Sequence, residues 1–379
     1  MPLPPGAVIL QVVPALQSGG VERGTIEMVQ AISGAGGRAL VASAGGALVP
    51  SVIASGGQHF ALPLASKNPI RVWRNAERLA RLIRAENVQL VHARSRAPAW
   101  SASLAARRTG AHFLTTYHAP YDEQAPGKRA YNAIMAQGER VIAISHFIAE
   151  LVRQRHGVPS GRIRVIPRGV DPALFDPAAV GSERLARLRQ DWSLPEGQRI
   201  VLLPGRLSRW KGHDVMVEAM RWVRTPDLLC VFVGPLEARD RYVDELRRRA
   251  LKLGVADRVR FAGQCDDMPA ALLLADVVVS ASTAPEGFGR TVIEAQAMRR
   301  PVIASDHGGA AETVEHGVTG WRFEPGDVVA LAACVDRVLA MAQPELAAVG
   351  TRARASVLAR YTTQAMQRAT LDVYAELLG

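Results

Sequence analysis

Lysine is scarce in this 379-residue chain: Lys67, Lys128, Lys211 and Lys252 stand against 42 arginines. The bias reads as codon usage more than function, and it makes any lysine inside a motif conspicuous. Cysteine is scarcer still. Cys230, Cys265 and Cys334 lie far apart with no C-x-x-C pair, which excludes a disulfide framework and a zinc knuckle and fits a reducing compartment, most simply the cytoplasm. Aromatic residues make up 5% and nowhere alternate with basic ones, so the stacking stripe of a nucleic-acid binder is missing. No apolar run reaches the ~18 residues of a membrane span, because the longest candidate, 270–280, is broken by Asp276. The first residues lack a basic n-region. Their apolar stretch contains Pro14 and ends at Gly19-Gly20, the pattern of a buried strand and turn, so no signal peptide is expected. There is no H-E-x-x-H and no Asp-x-Asp, and no metal is expected.

The chain does have a globular composition, 48% hydrophobic and 21% charged, and length enough for two domains. Its net charge of +11 is unevenly placed. Residues 1–180 hold 20 Lys and Arg against 10 Asp and Glu, whereas the remainder holds 26 against 25. Arg71, Arg74, Arg78 and Arg81 recur at helical spacing, with Val72, Trp73, Leu79, Leu82 and Ile83 assigned to the opposite side. Such a stripe reads as a solvated face on a core-packed helix, or as a surface for anionic lipid or an acidic acceptor. Nucleic acid ranks last.

Short apolar runs alternate with helical patterns throughout: 7–13, 38–42, 89–92, 112–116 and 140–144, then 200–204, 229–234, 258–262, 276–280 and 301–304. Strands spaced by helices predict an α/β protein with two parallel sheets, joined through Pro167–Pro177. The expected domains are 1–178 and 179–360, followed by a terminal helical segment, 361–379, whose apolar helix at 363–378 suits either domain. Ligands of open parallel sheets sit beyond the carboxyl ends of the strands, so two such sheets place theirs in the cleft between them. Chemistry-bearing motifs should lie just after strands.

Three do. Pro285-Glu286-Gly287-Phe288-Gly289 leads into a helix that carries Glu294. Its glycines let the backbone approach a ligand, its first-turn amides suit an anion, and its two carboxylates can accept hydrogen bonds from sugar or ribose hydroxyls. Alternatively it is an ordinary helix start, where the dipole favours acids. The loop Gly205-Arg206-Leu207-Ser208-Arg209-Trp210-Lys211 suits a diphosphate through Arg206 and Lys211, while Arg209 reads as a solvated cation. Ser18-Gly19-Gly20 lies between the first strand and its helix, and is either a phosphate cradle or just a tight turn.

Together with Ile166-Pro167-Arg168-Gly169-Val170-Asp171 and Ser305-Asp306-His307-Gly308-Gly309, these motifs resemble the retaining family-four glycosyltransferases of GT-B fold, over almost the whole chain. The resemblance implies two Rossmann-like domains facing across a cleft, acceptor on the first and nucleotide on the second, with the terminal helix crossing back to the first. It assigns the donor diphosphate to Arg206 and Lys211, the transferred sugar to Glu286, the ribose to Glu294, and the lining of sugar and phosphate to the amides of Gly287, Phe288 and Gly289. Gly19 and Gly20 would face the distal phosphate. His118, which by itself reads as a packed histidine, would match the family's histidine beside the sugar. Where the family often has Asn before Gly-Val-Asp this chain has Arg168, a departure that counts against a role for that loop and leaves the donor residues untouched.

The implied reaction moves a hexose from a nucleoside-diphosphate sugar to an acceptor hydroxyl by front-face displacement with retention. The protein orients both substrates and meets the leaving diphosphate with Arg206, Lys211 and helix amides rather than a metal. No cofactor beyond the donor is expected, and the oligomeric state is open. The basic first half, with its further Lys128, Arg129 and Arg140, points to a cell-envelope glycolipid or oligosaccharide acceptor and to a peripheral place on the inner face of the cytoplasmic membrane. Val91-His92-Ala93-Arg94-Ser95-Arg96 is similar to enzymes of lipopolysaccharide-core biosynthesis. Two alternatives are a nucleotide-sugar epimerase or hydrolase of the same fold, and a non-catalytic basic module binding membrane or nucleic acid.

Overall fold

A computed structural model of the chain describes residues 2–17, 19–235 and 241–379; Ser18 of the first glycine turn lies outside them. The chain forms two compact units, Met1–Arg168 with Thr363–Gly379, and Gly169–Thr362.

The first unit is built on β1 (Val8–Val12), β2 (Arg38–Ser43), β3 (Gln58–Ala61), β4 (Leu90–Ala93), β5 (His112–Tyr117), β6 (Arg140–Ala143) and β7 (Ile163–Val165). They pair in parallel in the order β3-β2-β1-β4-β5-β6-β7. The order reverses between β1 and β4, so the loops leaving these two strands flank a crevice. Ile9, Met28, Val41, Leu90 and Leu114 share a core with Met366, Val373, Tyr374 and Leu377 of the terminal helix Thr363–Leu378. Polar contacts fix that helix as well. The buried His92 ring lies between Tyr374 Oη and Thr116 Oγ1, 2.7 Å from each, and Glu376 pairs with Arg140 and Arg164, at 2.6 Å each. Arg140 is thereby committed to the fold and withdrawn from the basic cluster read from the sequence.

The second unit carries β8 (Arg199–Pro204), β9 (Leu228–Val233), β10 (Val259–Gly263), β11 (Val277–Ser280), β12 (Val302–Ser305) and β13 (Trp321–Phe323), all parallel, in the order β10-β9-β8-β11-β12-β13. Its reversal falls between β8 and β11. The core gathers Val201, Leu203, Cys230, Phe232, Val277, Val279 and Ile303 under Leu331 and Val335 of the helix Val328–Ala340. Residues 169–178 belong here: Val170 N–H donates to Tyr361 O at 2.9 Å and buried Phe175 receives Arg354 at 2.8 Å through its carbonyl.

Ten strands fall where the sequence predicts them. The three that it does not announce, β3, β7 and β13, all sit at sheet edges and run only three or four residues. A strand covered on one side needs neither a continuous apolar run nor strict alternation to stay paired. The cationic helix is Pro69–Ala85, capped by the Asn68 side chain. Asn75, Ala76, Leu79, Ala80 and Ile83 make its buried side. Trp73 corrects the expectation, since it is 53% exposed rather than packed inward, with Arg108 over its ring at 5.9 Å, and Ile70 is 63% exposed among the arginines. Its position in the helical turn sets Trp73 at the border of the apolar stripe, where neighbouring elements decide its burial. Among the described residues no helix is long and apolar enough to cross a membrane.

Candidate active site

In the second unit the loops that leave β8 and β11 converge at the point where the strand order reverses. The β8 loop runs Gly205–Gly212, with a single 3₁₀ turn at Arg209–Lys211 closed by Gly212 at φ 71°. That turn aims Lys211 inward and Arg209 outward. Lys211 Nζ lies over the Trp210 ring at 4.6 Å and donates to Glu286 Oε1 at 2.7 Å. Arg209 packs on Tyr242 at 5.2 Å and pairs with Glu245, so it is a surface cation, as its reading from the sequence has it. Arg206 is exposed, and among the described residues its guanidinium makes no hydrogen bond.

The β11 loop places Glu286 at 8% exposure, where its carboxylate also accepts from the hydroxyls of Ser282 and, at 3.5 Å, Ser280. Burial pushes the carboxyl up, but the charge and hydrogen bond of Lys211 together with the two serine hydroxyls outweigh it and hold Glu286 below the usual carboxylate range. The acid is therefore ionised and preset against a cation. Behind it, the Gly309 amide donates to Glu286 O at 2.8 Å, and a side chain at 309 would meet Gly287 O at 2.4 Å. The Ser305–Gly309 motif thus acts as a support for the Glu286 loop, with His307 Nε2 fixing Ser282 O at 2.8 Å. Neither Ser280 nor Ser282 announces itself in the sequence as a partner of Glu286, nor His307 as the support of Ser282.

The helix Arg290–Ala297 opens after Gly289. Glu294, 5% exposed, accepts from Arg290 Nε at 3.1 Å. The amides of Phe288 and Gly289 make no hydrogen bond among the described residues. Phe288 turns its own ring away, edge-on to Tyr361 at 5.5 Å. In this one unit, then, Lys211, Glu286, Gly287, Phe288, Gly289 and Glu294 flank the two central loops. His213, next along the β8 loop, is a core residue, edge-on to Phe232 at 5.1 Å and pushed down to about 4 by burial.

The first unit holds the other expected residues at the equivalent end of its sheet. Gly19 caps the helix Gly20–Gly34 without side-chain help. His118 follows β5, and its Nε2 is buried without a hydrogen bond among the described residues. Burial, and after it Arg168, Arg94 and His92, hold its pKa well below the ordinary value, so the ring is neutral. Among the described residues no three His, Cys, Asp or Glu side chains gather as a metal-binding set.

This architecture has close counterparts. Residues 186–356 match the family model "Glycosyl transferases group 1" and residues 18–174 match "Glycosyltransferase Family 4". The structure of a glycosyltransferase from Rickettsia africae ESF-5 is 37% identical, with 98% of this chain and 99% of that one covered at a TM-score of 0.91. That of Anabaena Alr3699/HepE in complex with UDP and glucose is 25% identical, with 98% and 100% covered at 0.85. A GDP-mannose-dependent alpha-(1-6)-phosphatidylinositol monomannoside mannosyltransferase of Mycobacterium tuberculosis is 32% identical over 75% of each chain. The match to a D-inositol 3-phosphate glycosyltransferase of Acidothermus cellulolyticus, 30% identical, takes in 68% of this chain and only 58% of that protein's length. With the Rickettsia protein aligned end to end and both family models placed on successive units, the chain belongs to the family-four glycosyltransferases of GT-B fold.

Proposed function

We propose that the protein transfers a hexose from a nucleoside-diphosphate sugar to a hydroxyl of a cell-envelope glycolipid or oligosaccharide, with retention of configuration and without a divalent ion. The observation that carries this reading is the Lys211–Glu286 pair, 2.7 Å apart, at the strand-order reversal. It puts a cation suited to a phosphate beside a carboxylate suited to sugar hydroxyls. Lys211 and Arg206 take the diphosphate, the amides of Phe288 and Gly289 add donors beside it, and Glu294 accepts from the ribose. The Gly19–Gly20 turn is given to the distal phosphate. Neutral His118 suits a hydrogen bond to the transferred sugar. With both carboxylates given to hydroxyl recognition, orientation and diphosphate stabilisation supply the rate, and the diphosphate oxygen takes the acceptor proton.

The direct test is a thermal-shift panel of UDP, GDP and ADP followed by anomeric analysis of the product formed from the matching sugar nucleotide. A bound donor raises the melting temperature by mass action. A chain that none of the three stabilises does not use such donors, inversion at the anomeric carbon overturns the retaining assignment, and turnover abolished by chelator overturns the metal-free one.

For the acceptor, the basic first half supports an anionic cell-envelope glycolipid at the membrane surface, with lipopolysaccharide core as the reading taken from the sequence. The mycobacterial relative, which by its name acts on a phosphatidylinositol monomannoside, favours a phosphatidylinositol glycolipid as the second. Either brings the Pro69–Ala85 face to an anionic bilayer: Arg71, Arg74, Arg78 and Arg81 are exposed around Ile70, with Trp73 at the rim. Each basic residue near such a surface contributes about 1 kcal/mol. Reversing Arg71, Arg74 and Arg78 to Glu is expected to lower partitioning onto phosphatidylglycerol vesicles by at least about tenfold, with unchanged turnover of a water-soluble acceptor. Equal partitioning of variant and wild type removes the membrane from the reading.

A further inference from the structure

Arg168, the residue at which the chain departs from the family pattern, is 6% exposed and donates through Nη2 to Gly20 O at 2.7 Å, 148 residues away in sequence. Its guanidinium also approaches Glu27 Oε2, at 3.8 Å. The fit is specific at Gly24: a β-carbon there would lie 1.7 Å from Arg168 Nη2 and 2.6 Å from its Cζ. Only glycine leaves the guanidinium its seat. The seat lies under the first turn of the helix Gly20–Gly34, the turn entered through Gly19 at φ 142° with no capping side chain. Arg94, 2% exposed, stands close by, bonded to Gln11 Oε1 at 3.1 Å, and Gln11 in turn donates to Thr25 O at 3.0 Å. Glu27 acts on both guanidiniums. Two buried cations thus lie near the Glu27 carboxylate, beside a helix N-terminus whose first turn also carries Glu22.

We infer that Arg168 is a positioning residue for the donor: it braces the Gly19–Gly20 turn in the conformation that meets the distal phosphate, and Gly24 is the notch that admits it. The inference rests on the proposed reading that this turn faces that phosphate. The guanidinium ties the first-turn carbonyl to the residue at which the chain leaves the first unit. The turn is then held before a ligand arrives, and less ordering remains to be done on binding.

The test measures, by titration calorimetry on the full chain, the affinity for the nucleoside diphosphate that stabilises the wild type best and for the matching monophosphate. Arg168→Asn and Gly24→Ala are each expected to weaken the diphosphate about tenfold and leave the monophosphate within about twofold. The double variant is expected to match the single ones rather than multiply them, because an alanine at 24 disturbs nothing once the arginine is gone. Gly20→Ala, whose added methyl meets no atom within 4 Å beyond its chain neighbours and its own helix backbone, tests the underlying reading separately and should also lose the preference for diphosphate. If Gly20→Ala loses it and Arg168→Asn keeps it, the brace is wrong and the reading stands. If Gly20→Ala keeps it, the turn does not face the phosphate and both fall. Equal weakening of mono- and diphosphate in Arg168→Asn, or multiplicative effects in the double variant, reduces Arg168 to a structural residue.

Discussion

Lys211→Ala is expected to lower kcat/KM for the donor by about 100- to 1,000-fold, the loss seen when one preorganised donor is removed from developing negative charge. A second effect comes with it. In the wild type, Lys211 and the serine hydroxyls hold buried Glu286 below its ordinary value of 4.5, so its contribution to stability is present above about pH 4.5 and is lost as the pH falls through the folded-state value. Without the ammonium, burial becomes the dominant influence on Glu286 and pushes it up. A group raised in the folded state stabilises below its unfolded pKa and ceases to do so as the pH climbs. The variant is therefore expected to melt below the wild type at pH 7 and to close most of that gap near pH 4. Melting curves across that range, beside steady-state kinetics, check both halves. Turnover within a few-fold of wild type, or a stability gap that does not narrow in acid, contradicts the assignment of Lys211.

Glu286→Gln is expected to reduce transfer at least about 100-fold while tightening the binding of the bare nucleoside diphosphate by about threefold or more. Unliganded, Lys211 gives its proton donor to Glu286 at 2.7 Å, and an arriving diphosphate must draw the ammonium away while approaching a buried carboxylate. At an effective dielectric of about 20, two like charges some 6 Å apart repel by about 3 kcal/mol before screening. Neutral glutamine removes that repulsion and can still accept from Ser282. The sugar loses its charged acceptor, so turnover falls as diphosphate affinity rises. A variant that binds the diphosphate no better than wild type shows that Lys211 is not shared between the two.

How much of this was legible in advance differs from element to element. β8 and β11 are continuous apolar runs followed by glycines, which is how strands buried on both faces and their ligand loops look in sequence, and the motifs on those loops carried the family. β3, β7 and β13 were not legible, because an edge strand of three or four residues has too little pattern to stand out. The hydroxyls of Ser280 and Ser282 are illegible in the sequence for another reason. Serines near a loop are common, and only the turn of the chain after β11 points these two at one carboxylate oxygen. Arg140 is the opposite case, a cation that the sequence places in a basic surface cluster and that in the fold clamps Glu376, 236 residues on.

Arg168 marks the division most sharply. From the sequence it is a mismatch in a motif, one arginine among 42. In the folded first unit it fills the space above Gly24 and bonds to Gly20, which turns the departure into a matched pair of residues. Composition and strand rhythm determined by themselves that the chain is a two-sheet α/β protein with its positive charge in the first half, and the resemblance of its motifs pointed to a glycosyltransferase family, because each of those is a local or additive property. The tertiary structure decided which cation faces which carboxylate and which arginines are spent on the fold. Those outcomes depend on contacts between residues far apart in sequence, and an apolar helix face or a guanidinium carries no label for the partner it will meet.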